Sequence, residues 1–146
     1  MVYSFLNVTA FMAGPGLGVN LGAGSGSAEE GIKVEAVDDK NVMTIGADGV
    51  GQHSLVASNA AKVTIQLLRT SPVNTFLMLA YDAQSASSAL WGQNLLTIVD
   101  TGRGDLTVIQ SMAFKKKPAL GWAKEAGLIE WEFDGITANS VLGKGQ

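Results

Sequence analysis

The segment Ser71-Pro72-Val73-Asn74-Thr75-Phe76-Leu77-Met78-Leu79-Ala80-Tyr81 opens the stretch of the chain with the clearest helical periodicity. Pro72 suits a first helical turn, because its missing N–H has no partner there, and Thr70 or Ser71 can cap the free N–H groups. Apolar side chains then recur every three or four residues and form one stripe. The sequence therefore predicts a helix over about residues 72–86 that packs on the rest of the fold through Phe76, Leu77 and Tyr81.

The chain on both sides of this helix has the pattern of short strands. In residues 60–68 apolar and polar side chains alternate, which predicts one buried and one wet face. Further strands are predicted at residues 3–12, 32–37, 41–45, 95–99, 106–109, 113–117 and 128–133, with a weakly patterned tail after residue 135. The whole predicts one mainly-β domain over residues 1–146, an antiparallel β-sandwich or barrel with one flanking helix.

The composition favours self-association. The chain is 47% hydrophobic and 16% charged, whereas about 25% charged residues is usual. A chain this poor in charge is expected to bury part of its surface against other subunits. A compact monomer with a rich core is the alternative.

Several function classes are excluded or disfavoured. There are no cysteines, which excludes disulfides and thiolate sites. No run approaches the ~20 apolar residues that span a membrane, and the N-terminus lacks the basic region of a secretory signal. A net charge of −3 does not suit a protein that grips nucleic acid through phosphates, although DNA could slide past it.

No motif predicts catalysis, a cofactor or a metal. The glycine-rich residues 14–31 do not have dinucleotide-binding spacing and are predicted to form a hairpin or extended loop. His53 is the single histidine, and the acidic pair Asp38-Asp39 lacks the spacing of a calcium loop. Arg103-Gly104-Asp105 is predicted to lie in a hairpin turn. We therefore expect a protein that is not an enzyme.

Several segments, in order along nearly the whole chain, resemble the tail tube proteins of contractile-tailed bacteriophages. They are Ala28-Glu29-Glu30-Gly31-Ile32, Asp39-Lys40-Asn41, Thr44-Ile45-Gly46-Ala47-Asp48-Gly49, Leu68-Arg69-Thr70-Ser71-Pro72-Val73-Asn74, Trp91-Gly92-Gln93-Asn94, Arg103-Gly104-Asp105 and Ala113-Phe114-Lys115-Lys116 with Pro118.

This resemblance implies a structural subunit of the virion tail, made in the host cytoplasm. Such subunits form hexameric rings that stack into a hollow tube inside a sheath protein, between baseplate and tail terminator proteins. Sheets of neighbouring subunits join edge to edge, and one sheet of each subunit lines the channel through which DNA leaves the capsid. No membrane and no cofactor are implied.

Two sets of residues are expected to serve this assembly. Carboxylates near the channel would repel DNA phosphates, and the lumen candidates are Glu35, Asp38, Asp39, Glu130 and Glu132. Glycine-rich or turn segments can order on contact, and the ring-stacking candidates are Gly22, Gly24, Gly26, Asp48 and Gly49.

Two alternatives remain open from the sequence. A tube protein of a related contractile injection or secretion system would deliver protein rather than DNA. A monomeric enzyme or lectin-like sandwich would form no rings.

Overall fold

The computed structural model describes residues 3–22, 27–125 and 127–143, with the side chains of residues 27–30 left aside. After a 3₁₀ turn at Phe5–Asn7, these residues form nine strands and one α-helix. The strands are β1 (Val8–Gly14), β2 (Leu17–Asn20), β3 (Ser27–Ala36), β4 (Asn41–Ile45), β5 (Gly51–Leu55), β6 (Ala60–Leu68), β7 (Asn94–Asp100), β8 (Asp105–Phe114) and β9 (Leu128–Val141), and the helix is α1 (Val73–Ser85).

Seven strands form one antiparallel sheet in the order β2-β1-β7-β8-β9-β6-β3. The sheet is curved into a roll. The curvature brings Val34 of β3 and Ile98 of β7 to the lining of one cavity of about 240 Å³. Its edges β2 and β3 are not hydrogen-bonded to each other, so the roll stays open. The mainly antiparallel β fold with one helix is as predicted from the sequence, in the form of an open rolled sheet and not a closed barrel.

The core lies on the concave side of this roll. Val63, Ile65 and Leu67 of β6 are fully buried, as the alternation of residues 60–68 predicts. Trp131 and Phe133 of β9 lie directly opposite Ile65 and Val63. Each such side chain contributes about 1.5–3 kcal/mol when removed from water.

Helix α1 packs on the same side through Val73, Leu77, Ala80 and Gln84. The Ser71 hydroxyl accepts a hydrogen bond of 3.3 Å from the Val73 N–H. Because these buried residues recur every three or four positions, Phe76 and Tyr81 fall on the two borders of the buried stripe.

Only one of these two borders is covered. The Tyr81 ring makes edge-to-face contacts with Trp91 and Phe114, at centroid distances of 6.1 and 5.5 Å. Phe76 is 54% exposed, so the prediction that it packs against the sheet is wrong for the single subunit.

A buried pair of amides fixes the end of α1. Gln84 and Asn94 exchange two hydrogen bonds of 2.9 Å, and the Gln84 amide also donates to the Pro15 carbonyl at 3.2 Å. A Cβ atom on Gly14 would overlap the Asn94 side chain, so the turn between β1 and β2 closes tightly on this pair.

Several predicted boundaries were wrong. Strand β9 continues to Val141 through the weakly patterned tail, because its second half pairs with β8, as in Leu106 opposite Val141. Strand β8 is continuous where two strands were predicted, with a bulge near Ser111, whose φ is +52°. Strand β1 begins only at Val8, and β3 begins at Ser27 instead of residue 32. Within the predicted hairpin or extended loop of residues 14–31, β2 forms a hairpin with β1.

Candidate assembly surfaces

Strands β4 and β5 form a separate two-stranded ribbon, and each of their ten residues is exposed. Its base is fixed by side chains: the Lys40 ammonium donates to the Ser58 carbonyl at 3.2 Å and to the Asn59 amide oxygen at 3.0 Å. The Ser58 hydroxyl donates to the Asp38 carboxylate at 2.6 Å. The ribbon is thus attached firmly at one end while its length is open to solvent.

The two faces of the ribbon differ in chemistry. Because side chains alternate between faces, Met43, Ile45 and Leu55 share one face, with exposures of 56, 56 and 83%. The same face carries Asn41 and His53, whose side chains are hydrogen-bonded at 3.1 Å. The opposite face carries Val42, Thr44, Gln52 and Ser54. An isolated two-stranded ribbon is marginally stable in water. The exposed apolar side chains of Met43, Ile45 and Leu55, together called the ribbon face below, are left uncovered by the described part of the subunit.

On strands β6 and β9, the side of the main sheet opposite the core is polar up to Gln66 and Glu130. This polar face is defined by Lys62, Thr64 and Gln66 of β6 and Glu130 and Glu132 of β9. The Gln66 amide donates to the Glu130 carboxylate at 3.1 Å, and the Lys62 ammonium lies 3.4 Å from that of Glu132. Cross-strand pairs of this kind cover the sheet with hydrogen-bonded polar groups of both charges.

Lysines offset the carboxylates on this face. Burial raises the pKa of Glu132, but the hydrogen bond from Lys62 and the charges of Lys62, Lys116 and Lys115 outweigh it, so the pKa lies below its usual value. A hydrogen bond and the charge of Lys33, 2.7 Å away, lower the pKa of Glu35. Both carboxyl groups are therefore ionised at neutral pH.

The structure brings three of the five lumen candidates onto one side of the sheet. Glu35 is the cross-strand partner of Lys62 and so joins Glu130 and Glu132. Asp38 lies apart from them, at the base of the ribbon, where its carboxylate accepts the Ser58 hydrogen bond. Asp39 is exposed in the same connection.

The ring-stacking candidates fall in three places. Asp48 and Gly49 form the tip of the ribbon, where the Asp48 carboxylate accepts from the Val50 N–H at 3.2 Å and Gly49 has a φ of +86°. Gly22 is buried, and a Cβ on it would lie 2.5 Å from the Val8 carbonyl oxygen, so it is not an open loop residue. Gly24 and Gly26 lie outside the described residues.

Sequence reasoning missed an apolar surface at one end of the polar face. Leu68 and Leu128 are cross-strand partners and are 44 and 52% exposed. Nearby in the fold, Trp122 is 79% exposed and its ring lies 5.1 Å from the Arg69 guanidinium carbon. The sequence did contain a signal for this surface: Leu68 and Leu128 stand at positions where the alternation of β6 and β9 predicts a polar residue.

Within the described residues no cluster of three or more His, Cys, Asp or Glu could hold a metal. In the same part of the chain, no helix has the length and hydropathy needed to cross a bilayer.

The fold is similar to a chain in the cryo-EM structure of an extracellular contractile injection system, the PVC sheath–tube complex in its extended state. The match has a TM-score of 0.51 and 7% identity, and it covers 91% of this chain and 86% of that chain. A search of curated proteins found no match. The family model described as the bacteriophage PhiTE tail tube protein matches residues 1–143, and the chain therefore belongs to this family of tail tube proteins.

Proposed function

We propose that this tail tube protein assembles with copies of itself into hexameric rings, which stack into a hollow tube that conducts DNA from capsid to host. The observation that carries the proposal is the ribbon, which has an exposed apolar face that its own subunit does not cover. A second copy of the chain can supply the missing partner, and burial of this face would then stabilise the stack.

The open edges of the sheet support closure of a ring. Strands β2 and β3 are the two edges of the sheet, and they differ in length, with 4 and 10 residues. Unpaired edges are templates for pairing with another chain. Joining one edge to a different edge of the next copy is a heterologous contact, which closes into a ring when the rotation fits.

The polar face suits the wall of a channel for DNA. Its carboxylates at Glu35, Glu130 and Glu132 are balanced by Lys62 and by neighbouring lysines, so no basic stripe forms. DNA carries one negative charge per ~1.7 Å, and a basic wall would hold it by releasing counterions. A mixed polar wall of near-zero charge would let it pass.

The family and the similarity to a chain of a sheath–tube complex support a sheath protein as a further partner. We place a sheath protein around the tube, with baseplate and tail terminator proteins at its ends. The subunit would be made in the host cytoplasm and become part of the virion tail. Its role is structural, without catalysis or cofactor.

Electron microscopy of the purified protein tests assembly. We expect hollow tubes built of stacked rings, and class averages of end views with six-fold symmetry. A protein that remains monomeric at millimolar concentration, or rings with another symmetry, would contradict the hexameric tube.

A tube that delivers protein is the second candidate, and the similarity to the extracellular injection system favours it. Isolation of the particles that contain this chain separates the two. Tails joined to DNA-filled capsids support DNA conduction, whereas sheathed tubes without capsids, loaded with protein, support the injection system.

A further inference from the structure

The polar face ends in an apolar surface, which we define by Leu68, Arg69, Trp122 and Leu128 and call the Trp122 patch. Strand pairing places Leu68 beside Leu128 on the side of the sheet that carries Gln66 and Glu130. The Arg69 N–H donates to the Gly127 carbonyl at 3.2 Å, which fixes the connection before β9 against the end of β6. The patch is thus built on paired backbone.

The composition of the patch is that of a binding surface. Trp and Arg are the side chains most enriched where a few residues supply most of the binding energy of an interface. Here the Arg69 guanidinium lies over the Trp122 ring, so both present a broad, flat surface next to two exposed leucines. The subunit itself leaves this surface in water.

The Trp122 patch and the ribbon lie at opposite ends of one strand. The ribbon joins the sheet where β6 begins, at Ala60, whose carbonyl accepts from the Val37 N–H. The patch lies where β6 ends, at Leu68. At roughly 3.4 Å per residue, these ends are about 27 Å apart.

We propose that the Trp122 patch is the surface that receives the ribbon face of a second copy of this chain in the next ring. Both surfaces expose large apolar side chains, and they lie at opposite ends of β6. Copies repeated along the direction of this strand therefore bring one against the other. The contact joins two different surfaces, so it continues from ring to ring without closing on itself. This inference rests on the proposed tube and names its receiving surface.

The absence of cysteine from the chain makes a cross-linking test direct. One protein carries His53→Cys, on the same face as Met43 and Leu55, and the other carries Ala123→Cys, next to Trp122. Tubes assembled from an equal mixture are treated with a short bismaleimide. We expect covalent dimers that contain one copy of each variant, and none in the unassembled mixture.

The matched control replaces the second variant with Asp82→Cys, an exposed position on α1. Because α1 packs on the core side of the sheet, this cysteine lies on the side away from the patch. Tubes that cross-link His53→Cys to Asp82→Cys, or that give no dimer with Ala123→Cys, overturn the inference.

A substitution gives an independent measurement. Trp122→Ala should raise the subunit concentration needed for tube formation at least about tenfold, as expected for a central aromatic residue of an interface. Phe76→Ala removes another exposed aromatic ring, from α1, and should leave this concentration unchanged. If Trp122→Ala forms tubes at the same subunit concentration as the natural protein, the Trp122 patch is not the receiving surface. If the natural protein forms no tubes, it is the proposed function that fails.

Discussion

Gln84 and Asn94 face each other across the end of α1 and the start of β7, with each amide donating one 2.9 Å hydrogen bond to the other. Both side chains are almost completely buried. The pair joins the helix to the sheet at a point where the chain also turns between β1 and β2.

Replacement of Asn94 by Leu should destabilise the subunit by about 2–3 kcal/mol, because the buried Gln84 amide would lose both hydrogen bonds to Asn94 and keep only the one to the Pro15 carbonyl. Urea unfolding followed by circular dichroism measures the change. The double variant with Gln84→Leu should recover part of the loss, since both polar groups are then removed. Exposed Gln93→Leu is the control, and an equal effect there would show that the amide pair is not the cause.

Replacement of Leu77 by Asp should destabilise the subunit by at least about 3 kcal/mol, since the site is fully buried and offers no partner for a carboxylate. Leu79→Asp, on the exposed side of the same helix, should change the unfolding free energy by less than about 1 kcal/mol. A soluble, fully assembled Leu77→Asp protein would show that α1 presents a different face to the core.

Stability at acid pH should depend on Glu132. Its pKa in the folded state is below the usual 4.5, so the ionised form stabilises the fold above pH 4.5, and this contribution is lost as pH falls through the lower folded value. Glu132→Gln should therefore reduce the fall in melting temperature between neutral and acid pH. Glu125→Gln, at an exposed position, serves as comparison; identical profiles for the natural protein and Glu132→Gln would disprove the coupling to Lys62.

The ribbon face should be needed for assembly and not for folding. Ile45→Lys places a charge on that face, and we expect a folded monomer with unchanged melting temperature and no tubes by electron microscopy. Thr44→Lys places the same charge on the opposite face of the ribbon and should still give tubes. If Thr44→Lys alone prevents tube formation, the two faces of the ribbon have been assigned the wrong way round.

Charge on the polar face should govern the passage of DNA. Virions with Glu130→Lys should eject DNA more slowly at low ionic strength, and added salt should restore the rate, since counterions screen the new attraction. Asp82→Lys, on the far side of the sheet, should have no such effect. A Glu130→Lys virion with an unchanged rate at low salt would place this face away from the channel.

The sequence predicted elements whose pattern is local. The β6 boundaries at 60 and 68 follow from strict alternation, and α1 follows from Pro72 and the spacing of Val73 and Leu77. The second half of β9 carries Thr137, Asn139 and Ser140 without alternation. It is a strand because its backbone pairs with that of β8. This is a tertiary effect, which the strand propensity of the local sequence does not include.

The candidate surfaces were predicted less well for a related reason. The sequence does not tell whether an apolar side chain is exposed or buried. It therefore does not show that Phe76 and Trp122 are exposed while Leu77 is buried. Carboxylates are more predictable, since Glu130 and Glu132 alternate with buried aromatic residues. Asp38 has a hydrogen bond from Ser58, 20 residues away, that only the fold brings about.

The placement of the ribbon and the Trp122 patch at opposite ends of β6 gives any stack built on them a polarity. One terminus of such a tube would expose a ring of protruding ribbons, and the other would expose a ring of Trp122 patches. Growth would then proceed by different chemistry at each terminus. A protein that starts the tube and one that stops it would need unlike surfaces, the first complementary to one terminus and the second to the other.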